Sequence, residues 1–182
     1  MLLTRISAID GLMGGDANAA AGFPPIAQAD ARILILGSLP GERSLRANQY
    51  YAHPQNAFWK IMGEIAGAEG SYSERCEALM DRGIALWDVL ASSVRPGSMD
   101  ADIQSDTAIA NDFSGFLMVH DEVELICFNG QKATQMFTRM VHLSLDDNKL
   151  RFASLPSTSP AYASMSYVDK LAKWRGIITR ES

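Results

Sequence analysis

A single carboxylate, that of Asp88, lies inside an otherwise apolar run of the sequence, LWDVL. A charge buried among apolar side chains is costly unless a partner compensates it. The carboxylate could accept N–H groups of a heterocyclic ligand. It could equally cap a helix or form a buried salt bridge, and the sequence alone leaves these alternatives open.

A turn bounded by glycines lies within residues 32–59. Gly37 and Gly41 allow the backbone to approach a ligand closely, and Pro40 stiffens the turn between them. The turn is not a phosphate-binding P-loop, because no Gly-Lys followed by Ser or Thr is present, and it does not match the G-x-G-x-x-G pattern. The spacing of these residues by itself predicts a tight turn and no particular ligand.

Aromatic and amide side chains follow this turn in the segment YYAHPQNAFW. Tyr51, or Tyr50 as the second choice, could stack on a flat ring, and stacking of a base on an aromatic side chain contributes about 1–3 kcal/mol. The two tyrosines could instead pack as half-buried core. Asn56 is a further candidate, although it could simply cap a helix that begins near Ala57. His53 is interpreted as a loop residue.

Three consecutive hydroxyl side chains lie in the segment LPSTSP. Ser157, Thr158 and Ser159 could bind a phosphate together with backbone N–H groups, or they could form a capped turn. Basic residues in or near the segments described so far could supply a positive face: Arg43, Arg46, Arg95, Lys132 and Arg151.

Four short apolar runs predict the strands that position these candidates, at residues 32–36, 84–90, 123–128 and 150–155. Helical spacing of apolar residues separates the runs. Strands that alternate with helices predict an open, mostly parallel sheet covered on both faces. Ligands bind outside the carboxyl ends of such strands, so the four polar strand ends could converge on one site. Each could also be an ordinary strand-to-helix turn.

Five apolar stripes predict the helices, at residues 58–65, 76–80, 109–117, 133–141 and 168–178. We expect the second helix to be capped by Ser73 and to stop at Gly83. We expect each stripe to face the core, including the one through Val168, Leu171, Arg175 and Ile178.

Composition limits the class of protein. The chain has 182 residues, 47% of them apolar and 20% charged, as in globular proteins, and its net charge of −5 argues against a surface that is basic throughout. We predict a loosely held arm with at most a short helix over residues 1–30 and a single α/β domain over residues 31–182.

The cysteines and the apolar runs indicate the compartment. Cys76 and Cys127 each lie in an apolar run, so we expect buried reduced thiols, and two cysteines cannot supply a four-thiolate metal site. No apolar run reaches the roughly 18 residues of a membrane span. A basic segment joined to an apolar one is missing from the N-terminus. We therefore expect a cytoplasmic protein.

Five segments together resemble the uracil-DNA glycosylase superfamily, and in particular its hypoxanthine-DNA (deoxyinosine) glycosylases. They are LILGSLPGERSL, QYYAHPQNAFWKIM, GIALWDVLASSVRPGSMD, ICFNGQKA and LPSTSPAY, in the family's order between residues 31 and 174. The resemblance implies a three-layer α/β/α sandwich around a mostly parallel four-stranded sheet. It also implies an enzyme that flips a deaminated base out of DNA and hydrolyses its N-glycosidic bond with water.

The resemblance implies roles for individual residues. Asn56 would orient the attacking water, and Ser38 is a second catalytic candidate in the motif that forms the pocket floor. Tyr51 would stack on the base, Asp88 would accept its N1–H, and Gly37, Leu39 and Asn129 would complete the base-binding set. The residues implied to contact DNA are Ser157, Thr158, Ser159, Arg43 and Lys132, with Tyr162 and Met165 as the intercalating wedge.

Leu39 and Leu155 occupy positions at which uracil-specific relatives carry polar side chains. This difference favours the hypoxanthine branch, in which an asparagine further along the first motif, here Asn56, acts instead. The resemblance implies damaged DNA, duplex or single-stranded, as the partner of a monomer that requires no metal, no cofactor and no membrane.

Two other functions stay open at this point. The first is an enzyme of the same fold that acts mainly on uracil, on mismatches or on another lesion. The second is a non-catalytic module that binds damaged DNA or a nucleotide, which the net charge of −5 favours somewhat.

Overall fold

A parallel four-stranded sheet forms the centre of the computed structural model, which describes residues 19–96, 102–141 and 150–179. Its strands are β2 (Ile33–Gly37), β3 (Ile84–Asp88), β6 (Leu125–Asn129) and β7 (Arg151–Leu155), in the order β3-β2-β6-β7. Neighbouring strands are parallel throughout. The four apolar runs therefore form the predicted strands, and their carboxyl ends lie at one edge of the sheet.

A second, antiparallel sheet consists of β1 (Ala19–Ala21), β4 (Leu90–Val94) and β5 (Ile109–Ala110). The prediction of one strand over residues 84–90 is therefore wrong, because the chain passes from the parallel sheet into this second sheet at Val89. The N–H of Val89 donates to the carbonyl of Gly37 over 2.9 Å, and the N–H of Leu90 donates to that of Ser38 over 3.1 Å. Both residues are fully buried, so the apolar pattern carries no sign of the change.

Among the described residues, six helices cover the parallel sheet or its loops: α1 (Glu42–Ala47), α2 (Phe58–Ala66), α3 (Tyr72–Met80), α4 (Phe113–Val119), α5 (Gln131–Met140) and α6 (Tyr167–Ile178). Successive strand side chains point to opposite faces. On β2, Leu34 and Leu36 pack with α4 and α5, whereas Ile33 and Ile35 pack with α2, α3 and α6. The result is the predicted three-layer α/β/α sandwich.

The ends of two helices differ from the prediction. Helix α3 is capped by Ser71 and not by Ser73, because the Ser71 hydroxyl accepts the N–H of Glu74 and the Glu74 carboxylate accepts the N–H of Ser71. Helix α4 begins at Phe113, where Asp112 caps it, so Ile109 belongs to a strand.

The buried face of α6 also differs from the predicted stripe. Val168 is 71% exposed, whereas Lys170, Trp174 and Ile178 are buried, at a spacing of four residues. The predicted stripe is therefore right for Leu171 and Ile178, which pack in the core, and wrong for Val168 and Arg175, which are exposed.

The arm predicted over residues 1–30 falls partly outside the described residues, which begin at residue 19. Within the described part, β1 pairs with β4, and Ile26 forms an antiparallel bridge with Leu86 of β3. The chain here adopts extended structure instead of the short helix considered above. The division into an arm and a domain at residue 30 stays a prediction.

Candidate active site

One large cavity opens at the carboxyl ends of the four parallel strands. Its volume is about 560 Å³, within the range of about 300–1,000 Å³ that is usual for small-molecule sites. All the residues to which the family resemblance gives a role, except Met165, line it: Gly37, Ser38, Leu39, Arg43, Tyr51, Asn56, Asp88, Asn129, Lys132, Ser157, Thr158, Ser159 and Tyr162.

The floor of the cavity joins the last residues of two neighbouring strands, since Gly37 of β2 pairs with Asp88 of β3. Asp88 is only 3% exposed. A methyl group added at Gly37 would overlap Oδ1 of Asp88 and lie 3.1 Å from Oη of Tyr51. The close approach of these three residues requires glycine at position 37, and it places a carboxylate and a phenol hydroxyl together at the base of the cavity.

We expect Gly37→Ala to impair both folding and ligand binding. The added methyl group has no room beside Asp88 and Tyr51, and overpacking of this kind costs about 1–3 kcal/mol. Thermal unfolding measures the first effect, and the activity and ligand binding of the variant measure the second. Gly176→Ala is the matched control, because no atom lies within 4 Å of a methyl group added there. A Gly37→Ala variant as stable and active as its parent would contradict the packing described here.

The loop after β2 is held through its carbonyl groups. The carbonyls of Gly37 and Ser38 accept N–H groups of Val89 and Leu90, and the guanidinium of Arg95 donates to the carbonyls of Leu39 and Pro40. Arg95 is buried and supports the floor of the cavity. The expectation from the sequence that it contributes to an exposed positive face is therefore wrong. This role was missed because β4, the strand that Arg95 follows, was not predicted.

Tyr51 forms one wall of the cavity. Its ring stacks on that of Phe58, with 4.0 Å between ring centroids and 24° between ring planes. Its φ of 54° is in the left-handed region, which non-glycine residues rarely adopt. Tyr51 therefore packs on a core ring, as the second interpretation predicts, and it also lines the cavity, so its stacking on a ligand stays a prediction.

Tyr50, the second choice for stacking, belongs to the core. Its ring is buried, and its hydroxyl donates to the carbonyls of Phe23 and Pro24 over 3.4 and 3.3 Å. Burial, with a contribution from the Asp88 carboxylate, raises the pKa of the Tyr50 hydroxyl far above its ordinary value. Tyr50 therefore stays neutral and anchors the start of the segment that carries Tyr51.

Asn56 is half-buried and lies in a turn that fixes its orientation. Its Oδ1 accepts the N–H of Phe58, the first residue of α2, over 2.9 Å, and its own N–H donates to the carbonyl of His53 over 2.8 Å. Nδ1 of His53 accepts the N–H of Gln55 over 3.2 Å. The N-cap position of α2 is occupied by Ala57, so Asn56 is not its N-cap, although its Oδ1 satisfies the first N–H of the helix. Since an amide oxygen has two lone pairs, Oδ1 can still accept a hydrogen bond in the cavity.

Two buried hydrogen bonds join Asn129, the last residue of β6, to Thr158 in the loop after β7. Nδ2 of Asn129 donates to Oγ1 of Thr158 over 2.8 Å, and Oδ1 of Asn129 accepts the N–H of Thr158 over 2.9 Å. The carbonyl of Thr158 accepts the N–H of Ala57 over 3.0 Å. Thr158 is 1% exposed, so its side chain fixes the position of the loop, and the hydroxyls beside it are the ones that face outward.

The two serines beside Thr158 form a capped turn. Oγ of Ser157 accepts the N–H of Ser159 over 3.2 Å, and Oγ of Ser159 accepts the N–H of Ala161 over 3.2 Å. In these bonds the hydroxyl oxygens accept, so each O–H remains able to donate to a ligand. The capped turn and a phosphate-binding role are therefore compatible at this position.

Of the basic residues named from the sequence, some line the cavity and others lie elsewhere on the protein. Arg43 and Lys132 line the mouth, and Arg43 is exposed. Arg46 pairs with Glu42 on α1, and Arg151 lies on the edge strand β7.

Within the described ranges, no three His, Cys, Asp or Glu side chains come close enough together to hold a metal ion. In the same part of the chain, every helix is too short or too polar to cross a membrane.

Comparisons with known proteins agree with this arrangement of motifs. A family model described as the uracil DNA glycosylase superfamily matches residues 24–178. The chain is 42% identical over 115 residues to a hypoxanthine DNA glycosylase of Methanosarcina barkeri (strain Fusaro / DSM 804), over 62% of this chain and 72% of that protein. It is 41% identical over 115 residues to a hypoxanthine DNA glycosylase of Methanosarcina acetivorans, with the same coverage.

A solved structure is similar to the whole fold. It is a solution NMR structure of a protein from Methanosarcina acetivorans that carries the provisional name uracil DNA glycosylase. The TM-score is 0.74 and the sequence identity is 33%, over 89% of this chain and 98% of the other.

Proposed function

Because the chain belongs to the uracil DNA glycosylase superfamily, we propose that it is a DNA glycosylase that excises hypoxanthine, the base of deoxyinosine. The single observation that carries this choice of base is the buried carboxylate of Asp88, which lies beside Gly37 and Tyr51 at the floor of the cavity. Relatives that are about two-fifths identical bear the name hypoxanthine DNA glycosylase, which supports the same choice.

Asp88 discriminates the base by accepting its N1–H. Hypoxanthine carries a hydrogen on N1, whereas adenine presents a lone pair there, so a carboxylate would attract the first base and repel the second. A buried polar group that loses its partner rejects the wrong ligand strongly, by about 10⁴–10⁵-fold in favourable cases. Asp88 can act in this way because it is already buried and held within the protein.

The flipped base is held between Tyr51 and the loop after β2. Turning a base out of the helix costs a few kcal/mol, least for a mispaired base such as hypoxanthine opposite thymine. Stacking on the ring of Tyr51, which Phe58 supports from behind, offsets part of that cost. Backbone N–H groups near residues 37–39 and at Asn129 bind the keto oxygen and stabilise the departing base as its negative charge develops.

Water cleaves the bond directly. Asn56 orients a water molecule toward C1′ of the deoxyribose, and Ser38 lies in the adjoining loop as a second polar group at the floor. The bond between C1′ and N9 breaks with both electrons passing to the base, the water oxygen bonds to C1′, and the proton that the water loses neutralises the departing base anion. The products are an abasic site and free hypoxanthine, with no covalent enzyme–DNA intermediate.

The rim of the cavity contacts the DNA backbone. Arg43, Lys132, Ser157 and Ser159 supply charged or hydroxyl donors for phosphates, which position the DNA without reading its sequence. Tyr162 and Met165 follow the last motif and fill the gap left by the flipped nucleotide. A monomeric state, a cytoplasmic location and a single domain over residues 31–182 are part of the same proposal.

Single-turnover cleavage of labelled duplexes tests the function, with alkali to break abasic sites after incubation. We expect cleavage at deoxyinosine to exceed cleavage at deoxyuridine, because Leu39 replaces a polar residue of the uracil-specific enzymes. Cleavage chiefly at deoxyuridine would contradict the proposed base. Tight binding of deoxyinosine DNA without any cleavage would support a non-catalytic module instead.

A further inference from the structure

Lys170 is a buried lysine near the start of α6. Its side chain is 6% exposed, and lysines are almost never so deeply buried unless they are paired. Burial lowers the pKa of the Lys170 amine below its ordinary value. A lysine in this position needs a specific interaction to offset the loss of water around its ammonium group.

The ammonium group of Lys170 makes two contacts with one loop residue, Tyr162. Nζ donates to the carbonyl of Tyr162 over 2.7 Å and lies 5.0 Å from the centroid of its ring. The first contact is a hydrogen bond with a charged donor, and the second is a cation–π interaction. Together they fix both the backbone and the ring of Tyr162.

Helix α6 holds the whole loop between β7 and itself at two points. Nε1 of Trp174 donates to the carbonyl of Pro156 at the start of this loop over 3.0 Å. Lys170 binds the loop six residues further along, at Tyr162. Lys170 and Trp174 lie one helical turn apart on the buried face of α6. The loop is therefore fastened to a helix that the core holds in place.

Tyr162 is the exposed end of this arrangement. Its ring is 38% exposed and lines the mouth of the cavity, while its N–H donates to the carbonyl of Ser159 over 3.1 Å. An aromatic ring that is held at the mouth of a base-binding cavity can enter the stack of a duplex. If the ring is already in place before DNA binds, less conformational entropy is lost on binding.

We propose that Lys170 is a positioning residue that holds Tyr162 ready to fill the gap a flipped nucleotide leaves in duplex DNA. The inference rests on the proposed function and adds a residue outside the cavity to it. In single-stranded DNA no paired stack has to be opened and refilled. Loss of Lys170 should therefore impair excision from duplex DNA much more than excision from single strands.

Lys170→Met tests the inference in single-turnover excision of deoxyinosine from a duplex and from the same strand alone. We expect the duplex rate constant to fall about tenfold, which corresponds to about 1.4 kcal/mol, and the single-strand rate constant to change less than about threefold, since flipping from a single strand requires the least unstacking. Lys173→Met is the matched control, because it removes the same charge from an exposed position of the same helix. An equal loss on both substrates, or no loss on the duplex, would overturn the inference.

Tyr162→Ala should reproduce the duplex-selective loss, and adding Lys170→Met to it should change the rate little further, as expected for residues that act together. Lys170→Arg, which keeps a cationic donor, should recover part of the duplex activity. If Lys170→Met does not fold, Tyr162→Ala and Lys170→Arg alone test whether Lys170 positions Tyr162. Full duplex activity of Tyr162→Ala would then overturn the inference.

Binding to a duplex with a tetrahydrofuran abasic analogue, measured by fluorescence anisotropy, separates this inference from the proposed function. The assay needs no excision, and we expect weaker binding by Lys170→Met than by Lys173→Met. If the wild type failed to cleave deoxyinosine, the proposed function would be rejected, and this binding difference would still decide the role of Lys170.

Discussion

Replacing Asn56 by alanine is expected to lower the single-turnover rate constant for deoxyinosine excision by about 10²–10⁴-fold, the range over which groups that assist proton transfer contribute. Binding to deoxyinosine DNA should be nearly unchanged, because Tyr51 and Asp88 still hold the base. The physical reason is that water loses the oxygen acceptor that aligns it with C1′. Excision under single-turnover conditions and anisotropy with labelled duplex measure the two effects separately.

The same substitution removes a structural hydrogen bond, so the experiment needs a control for stability. Oδ1 of Asn56 accepts the N–H of Phe58, and loss of a hydrogen bond of this kind costs about 0.5–1.5 kcal/mol. Asn56→Ser keeps a side-chain oxygen that can accept this N–H but shortens the side chain and removes the amide, so we expect it to recover the stability but not the excision. Full excision by Asn56→Ala would refute the catalytic role, and equal recovery of both properties by serine would reduce Asn56 to a structural residue.

Replacing Asp88 by asparagine is expected to remove most of the preference for hypoxanthine over adenine. The carboxylate accepts N1–H, whereas an asparagine amide can turn its N–H₂ toward the lone pair of adenine. A hydrogen bond to a charged group contributes about 1.5–3 kcal/mol, so excision of deoxyinosine should fall by about 10–100-fold. The ratio of kcat/KM for deoxyinosine to that for deoxyadenosine, each opposite thymine, measures the loss of preference.

The contact between Asp88 and the base can also be tested from the side of the substrate. N1-methylhypoxanthine lacks the hydrogen that Asp88 accepts, so the wild type should excise it poorly. For Asp88→Asn the methyl group should matter less, because the interaction that it removes is already lost. A preference for hypoxanthine that survives in Asp88→Asn would assign the reading of N1 to another group. Thermal unfolding of this variant checks that the loss arises in recognition and not in folding.

The elements of the sheet were predictable because their signals are local. The strands β2, β3 and β6 are fully buried runs of mainly apolar residues that end at a polar or turn-forming residue, and burial on both faces of a parallel sheet produces such runs. The edge strand β7 is mostly exposed, and its apolar pattern is weaker. The strand ends then locate the ligand site by the geometry of parallel sheets. Glycine at position 37 was a plausible site residue for the same reason, although only the structure shows that Asp88 and Tyr51 leave no room for a larger residue.

The predictions from the sequence were wrong where tertiary contacts override a local pattern. Leu90 continues the apolar run of β3, but its N–H bonds to the carbonyl of Ser38 as the chain enters a second sheet. Arg95 was interpreted as a surface cation, yet its guanidinium is buried against the loop after β2. On α6, a buried lysine occupies a position where the apolar pattern predicts a surface residue.

The sequence by itself determined the four strands of the parallel sheet, the edge of that sheet where a ligand would bind, and the motifs that resemble one enzyme family. These features depend on the apolar periodicity and on short motifs, which are local in the chain. Only the tertiary structure decided which polar groups face the cavity. In the structure, Asn129 and Thr158 form hydrogen bonds with each other, the ring of Tyr51 packs on that of Phe58, and Lys170 binds the carbonyl of Tyr162. Packing decides which groups come into contact in each of these pairs, and so the apolar pattern along one strand or helix does not reveal the partner.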